Sequence, residues 1–172
     1  AMSMLVSPYA LSATDFRIYR NEELGFEVTY PTIWEINKLS KEPVFALKNK
    51  DSSKLGVFSI SVANLRFDEQ QLWNTVVTDK GRSLVEQAKA RFGEAVIRSA
   101  GETKLSGHRA YRTELRYVIQ NLDLDFPMIS VQVVCIHNRR VYLINFESPE
   151  FSYGDNKRAF QSIVHSFNFR GK

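Results

Sequence analysis

The sequence contains a single cysteine, few glycines and prolines, and no long apolar run. With Cys135 alone among 172 residues, an intrachain disulfide is impossible. No stretch of 18 apolar residues occurs, so the sequence predicts no transmembrane helix. Glycine and proline, at 8 and 5 residues, are too scarce for a linker or a disordered chain. Because a chain of this length can bury roughly 70% of its unfolded surface, we predict one folded domain without cross-links.

The sequence also lacks a strong excess of one charge sign and the common catalytic motifs. Lys and Arg number 23 against 19 Asp and Glu, and the net charge of +4 is a mild excess that favours an acidic partner or an anionic membrane surface. No basic block of five or more residues occurs, which argues against nucleic-acid binding. Gly-x-Ser-x-Gly, glycine-rich phosphate loops, HExxH and CxxC are all missing. The sequence therefore predicts a protein that is not an enzyme and needs no cofactor.

Cys135 lies in the apolar segment VQVVCIH. Strand alternation places it on the same face as Val131 and Val133. Free cysteine is among the most often buried residues, and this setting lacks the exposed, electropositive surroundings of a nucleophile. We predict a buried, inert thiol.

Aromatic residues are abundant at 12%, which favours β structure. FRIYR (16–20) and GFEVTY (25–30) flank a short polar turn and predict a hairpin. Pro31 lacks a backbone N–H, so the strand should stop there and resume with Trp34 and Ile36 anchored in the core. The aromatic residues at this corner are interpreted as architecture that closes one end of the core.

The next segments predict a second hairpin and then a change to helical spacing. VFALKNK (44–50) and GVFSISVANL (56–65) are separated by turn-forming residues. Apolar residues then recur at helical spacing over 68–92, with Asp68 in position to cap the first turn. Gly81 interrupts the middle, so 68–92 is predicted to form one long helix or two consecutive ones.

The second half of the chain predicts four strands in an antiparallel meander and a C-terminal helix. The strands are 95–105, 108–120, 128–138 and 140–147, and short connections join them. A helix over 155–167 with Asp155 as its cap follows. The sum is eight or nine strands with a central and a C-terminal helix: an α+β sandwich built on an antiparallel sheet.

One strand carries a row of charged side chains, which we call the charged stripe. Tyr111, Leu115 and Tyr117 should face the core, whereas the stripe lies on the opposite face. Its members are His108, Arg112, Glu114 and Arg116. Two interpretations stay open: a solvated face with cross-strand Arg–Glu pairs, or a docking surface for an acidic partner or ligand.

Three histidines and a pair of aspartates are the candidate metal ligands of the sequence. His108, His137 and His165 have no short metal-binding spacing, and the two arginines after His137 oppose a bound cation, so a solvated turn histidine is favoured there. Asp123 and Asp125 would project to one side of an extended loop over 121–127, but the other oxygen ligands of a calcium loop are missing. A solvated hairpin tip is favoured, and no metal is predicted.

Several motifs, in order along the chain, resemble the PsbP-like family. They are the stretch 21–31 (NEELGFEVTYP) with Trp34 after it, GHRAY at 107–111, VYLI at 141–144, and the helical segment 160–167. The resemblance spans residues 16–169, which we take as one PsbP-like domain. It implies an α/β/α sandwich with a central antiparallel sheet, the fold of the extrinsic photosystem II subunit, a Ran-binding import factor and many bacterial exported proteins.

The resemblance also implies a function. Those relatives are non-enzymatic, so we predict a non-catalytic binding or assembly protein of the bacterial cell envelope, whose partner is a protein or an envelope component. Residues 1–15 resemble a tag remnant and a short arm, too short for the docking arm of the photosynthetic subunit. An export signal or lipid-bearing cysteine upstream is compatible with this location.

Two alternatives of other classes stay open. One is a small-molecule carrier or hydrolase with a pocket between the sheet and helix 68–92. The other is a metal-dependent adaptor that uses His and Asp side chains.

Overall fold

The computed structural model describes residues 15–38 and 43–171, and the predicted tag remnant and nearly all of the arm lie outside them. The strands are β1 (Phe16–Asn21), β2 (Phe26–Pro31), β3 (Trp34–Ile36), β4 (Phe45–Asn49), β5 (Val57–Asn64), β6 (Ala95–Leu105), β7 (His108–Asn121), β8 (Leu124–His137), β9 (Arg140–Pro149) and β10 (Asn168–Phe169). The helices are α1 (Glu69–Asp79), α2 (Arg82–Phe92) and α3 (Tyr153–Ser166). None of these three helices is long and apolar enough to cross a bilayer.

The strands form two antiparallel sheets. The large sheet has the order β3-β4-β5-β9-β8-β7-β6, and the small one has the order β1-β2-β10. Strands β6 to β9 form the predicted meander, and both predicted hairpins are present. β6 is an outer strand, and its register shifts between Ile97 and Ser99, which makes Arg98 the extra residue of a bulge.

Three layers result, as the sandwich prediction requires. α3 and the small sheet cover one face of the large sheet, where Phe160 and Phe26 join a core that includes Ile144. α1 and α2 cover the other face, where their apolar residues pack on Tyr111, Leu115 and Tyr117 of β7. The burial of these three residues confirms the predicted alternation along this strand.

The helical region 68–92 consists of two consecutive helices, one of the two predicted arrangements. Asp68 caps α1, since its carboxylate accepts a hydrogen bond from the Gln71 amide at 2.9 Å. Lys80 ends α1 in the left-handed region at φ 53°, and Gly81 follows at φ 78°. Asp79 then accepts hydrogen bonds from the backbone and hydroxyl of Ser83, which fixes the first turn of α2.

The corner after β2 is partly as predicted. Tyr30 and Trp34 are buried, and the Trp34 ring lies near Phe146, so these aromatics do close one end of the core. The prediction for Ile36 is wrong, because its side chain is 47% exposed. Ile36 lies on the outermost strand, β3, which has a neighbouring strand on only one side, and it pairs there with Leu47 of β4.

Three local predictions in the second half need correction. Asp155 does not cap the C-terminal helix: α3 starts at Tyr153 after a short 3₁₀ turn, and Asp155 lies in its first turn. The loop expected over 121–127 is only the turn Leu122-Asp123, so Asp125 is a strand residue paired with Gln120. The described residues hold ten strands rather than eight or nine, since β10 was not predicted.

Candidate functional site

The middle of the charged stripe is organised around one buried carboxylate. Glu114 of β7 is only 8% exposed. Its Oε1 accepts a hydrogen bond from Arg112 at 3.0 Å and another from the Tyr153 hydroxyl at the start of α3. Arg98, the bulge residue of β6, approaches the second carboxylate oxygen at 3.4 Å. We call Arg98, Arg112, Glu114 and Tyr153 the Glu114 cluster.

The Glu114 cluster shifts the acidity of its members. Burial alone would raise the pKa of Glu114, but hydrogen bonds from Tyr153 and Arg112, with the charges of Arg112 and Arg98, outweigh it and hold the pKa below its usual value. Burial and the hydrogen bond to Glu114 raise the pKa of Tyr153 to about 12. Glu114 is therefore ionised and Tyr153 is protonated at neutral pH.

The other stripe residues are spread along β7. Arg116 pairs with Glu150 at 3.2 Å, next to the start of α3. His108 lies at the opposite end, where its ring is 4.4 Å from His137 and 5.4 Å from Phe169. The solvated-face interpretation is supported in part: His108 is exposed and the cross-strand pair Arg98–Glu114 is present, but Glu114 is buried and α3 borders the stripe. The structure brings Arg112 and Glu114 into contact and leaves His108 and Arg116 apart from them.

A groove of about 700 Å³ lies beside the Glu114 cluster, between α3 and the β6–β7 hairpin. We call it the α3 groove. Its lining residues are Thr103, Lys104, Ser106, Gly107, Arg112, Val133, Lys157, Phe160, Gln161, Val164 and His165. Val133 and Phe160 are almost fully buried and form its floor, and Arg112 is the member of the charged stripe that lines it.

The α3 groove is basic. Four of its lining residues are basic, namely Lys104, Arg112, Lys157 and His165, and no Asp or Glu of the described chain lines it. In residues 15–38 and 43–171, neither lysine forms an ion pair with a carboxylate. Such a concave basic surface attracts anions.

Ser106 of the α3 groove is hydrogen-bonded to the C-terminal segment. The Ser106 hydroxyl donates to Asn168 Oδ1 at 3.3 Å and accepts from the Phe169 amide at 3.2 Å. Both of these hydrogen bonds are therefore to the C-terminal segment and not to His165, which also lines the groove.

A smaller depression lies between the sheet and α1, at the place predicted for the alternative pocket. The depression there has a volume of about 300 Å³ and includes Asp68, Trp73 and Arg109 among its lining residues. The Arg109 guanidinium lies 4.0 Å from the centre of the Trp73 ring and covers much of that aromatic surface. The larger groove is on the opposite face of the sheet.

The candidate metal ligands do not converge. His108 and His137 are neighbours, but no group of three His, Cys, Asp or Glu side chains in the described part of the chain could hold a metal ion. His137 is the last residue of strand β8 and does not lie in a turn as predicted. Burial, together with the nearby His108, lowers the pKa of His137. Asp123 and Asp125 are exposed at the far end of the β7–β8 hairpin.

The Cys135 thiol is buried as predicted. Burial, with the nearby Glu69, raises its pKa to about 11. The thiolate needed for reaction is therefore scarce at neutral pH.

Sequence reasoning missed the α3 groove, although a partial signal exists. Lys157, Gln161 and His165 recur every four residues beside the apolar row of α3, and such spacing marks a polar stripe on one side of a helix. The sequence does not reveal that this polar stripe faces β6 and β7, because that depends on how the layers are arranged in space.

Comparison with known proteins supports the fold. A family model described as PsbP matches residues 14–169. A cyanobacterial PsbP (CyanoP) from Synechocystis sp. PCC 6803 is 16% identical with a TM-score of 0.67, covering 96% of this chain and 98% of that one. LpqN of Mycobacterium tuberculosis, described as involved in cell envelope biogenesis, is 10% identical with a TM-score of 0.58, covering 94% and 88%.

A third similar structure is the Ran-binding protein Mog1p of Saccharomyces cerevisiae. It is 11% identical with a TM-score of 0.55, covering 91% of this chain and 96% of that one. No curated protein sequence matches the chain significantly. At these identities the structural likeness shows the fold alone.

Proposed function

The chain belongs to the PsbP family, and from this premise we propose that it is a non-catalytic binding or assembly protein of the bacterial cell envelope. Two similar structures support this class of function, since one is described as a Ran-binding protein and another as involved in cell envelope biogenesis. The proposal places the protein outside the cytoplasm, where an upstream lipid anchor would hold it at a membrane.

The observation that carries this proposal is the basic α3 groove. The partner, a protein or another envelope component, contacts the groove together with His108, Arg112 and Arg116 of the charged stripe, while the buried Glu114 holds Arg112 in place. Lys157 supplies positive charge from α3 and Arg112 supplies it from β7. Rim charges of this kind favour a partner of opposite charge and speed its association.

Site-specific crosslinking tests the proposal. A photo-crosslinking amino acid in place of Gln161, in the groove, should form adducts with a partner from an envelope extract. The same group in place of the exposed Gln87, on α2 at the opposite face, serves as the position control. Arg116→Glu and Lys157→Glu should reduce the adducts, whereas Arg158→Glu, on α3 but outside the groove, should not.

Arg112 is not substituted in this experiment, because it forms an ion pair with the buried Glu114 and reversing its charge would disturb the fold. Equal crosslinking from positions 161 and 87, or adducts that persist in both charge-reversed variants, would contradict the assignment of this face to binding.

A further inference from the structure

The floor of the α3 groove is apolar, recessed and rigid. Val133 comes from β8, and Phe160 and Val164 come from α3. The Phe160 ring stacks on Phe146 at 4.6 Å, within the main core, so the floor is fixed by the packing of the whole sandwich. Preformed apolar floors of this kind are typical of sites for small molecules.

The rim of the groove carries positive charge on both walls. Lys104 and Arg112 lie on the sheet side, and Lys157 and His165 lie on the helix side. Arg112 already forms an ion pair with Glu114. Lys157 lies 5.6 Å from the Tyr153 ring, but neither lysine pairs with a carboxylate of the described residues, so both can bind an oxyanion through charge-assisted hydrogen bonds. A ligand that fits both features carries a negative group and an apolar part.

We propose that the α3 groove binds a single-chain amphiphile with a phosphate or carboxylate headgroup. The headgroup contacts Lys104 and Lys157, and the apolar chain lies on Val164 and on the small part of Phe160 and Val133 that the groove leaves open. This inference rests on the proposed function, in which the groove face is the binding face, and adds the chemistry of the ligand.

The geometry favours a separate amphiphile over a bilayer surface. The large exposed apolar side chains of the described residues, such as Leu122 and Phe151, lie outside the groove lining. The apolar atoms of the groove are in its floor, below the charged rim. A flat membrane cannot reach that floor, whereas one molecule can enter from water.

Calorimetric titration with decyl phosphate, below its micelle-forming concentration, tests the inference. Two compounds serve as controls: inorganic phosphate, which is the headgroup alone, and decyl maltoside, which has a neutral headgroup. Each should bind at least about tenfold more weakly than decyl phosphate, because it lacks either the apolar contact or the charge-assisted hydrogen bonds. Phosphatidylglycerol vesicles should not compete, and added salt should weaken decyl phosphate binding.

Variants locate the site. The double substitution K104Q/K157Q should weaken decyl phosphate binding by about tenfold or more. Val164→Asp places a carboxylate in the groove and should abolish binding, with circular dichroism as the check of folding. Arg158→Gln removes an exposed charge from the same helix outside the groove and should change nothing.

Three results would overturn the inference: equal affinity for the neutral-headed compound, undiminished binding by K104Q/K157Q, or binding to vesicles alone. Charge-dependent crosslinking at position 161 without decyl phosphate binding would also overturn it, while leaving the proposed function intact.

Discussion

Glu114 shows how one side chain holds two layers together. Its carboxylate accepts hydrogen bonds from Arg112 on its own strand and from Tyr153 on α3, and it attracts Arg98 from the neighbouring strand. A buried carboxylate with several partners stabilises a fold only as long as it is ionised and its partners are in place. The stability of the interface between α3 and β7 should therefore depend on pH.

We expect Glu114→Gln to lower the free energy of unfolding by about 2 kcal/mol at neutral pH, since hydrogen bonds to a charged group are lost. The pKa of Glu114 is lowered in the folded state, so its contribution is present above the unfolded pKa of about 4.3 and is lost as the pH falls through the folded pKa. Urea denaturation across a pH series should show the two proteins converging in acid.

Glu102→Gln, which breaks an exposed 3.8 Å pair with Arg109, is the matched control and should have little effect at any pH. If the loss of unfolding free energy in Glu114→Gln stayed constant down to pH 3, ionisation of this carboxylate would be excluded as its cause.

The junction between α1 and α2 depends on backbone geometry. Gly81 adopts φ 78°, a conformation that side chains disfavour, and it lies against β7. A Cβ atom added there would be 2.5 Å from Thr113 Cγ2. The sequence indicated a break at this glycine, but the close approach to Thr113 depends on long-range packing.

Gly81→Ala should therefore destabilise the protein by about 1–3 kcal/mol, through backbone strain and the contact with Thr113. Gly101→Ala provides the comparison, because a Cβ at Gly101 meets nothing within 4 Å. Urea denaturation of both variants measures the difference. If Gly101→Ala cost as much as Gly81→Ala, the geometry of the junction would not be the reason.

The two sheets are tied together at the end of the chain. Phe169 of β10 stacks on His137 at 4.1 Å and also contacts Tyr142 and Phe167, each at 4.9 Å between ring centres. The Arg170 amide donates to the Gly25 carbonyl at 2.8 Å, which extends the pairing of β10 with β2. The last few residues thus close the small sheet over the large one.

Phe169→Ala should reduce the free energy of unfolding by about 2 kcal/mol, since a half-buried aromatic side chain loses its packing. It should also raise the pKa of His137, which burial now lowers, and histidine NMR titration measures that change. Phe151→Ala removes the same atoms from an exposed position and should have a small effect. A His137 pKa that does not change in Phe169→Ala would contradict the role assigned to β10.

Much of this architecture could be predicted from local pattern. Alternation predicted the hairpins, the meander and the burial of Tyr111, and the resemblance supplied the layered sandwich. Two features could not be read in this way. β10 has only two residues and pairs with a strand about 140 positions earlier, and the α3 groove exists only once α3 is packed beside β6.

The bulge at Arg98 has a further consequence for behaviour at high concentration. An outer strand of eleven residues such as β6 offers unpaired backbone groups to other molecules, and such edges promote fibre growth. The register shift between Ile97 and Ser99 interrupts the regular spacing of those groups, and Glu102 and Lys104 add charge along the edge. The register shift at Arg98 thus makes β6 a poor template for aggregation.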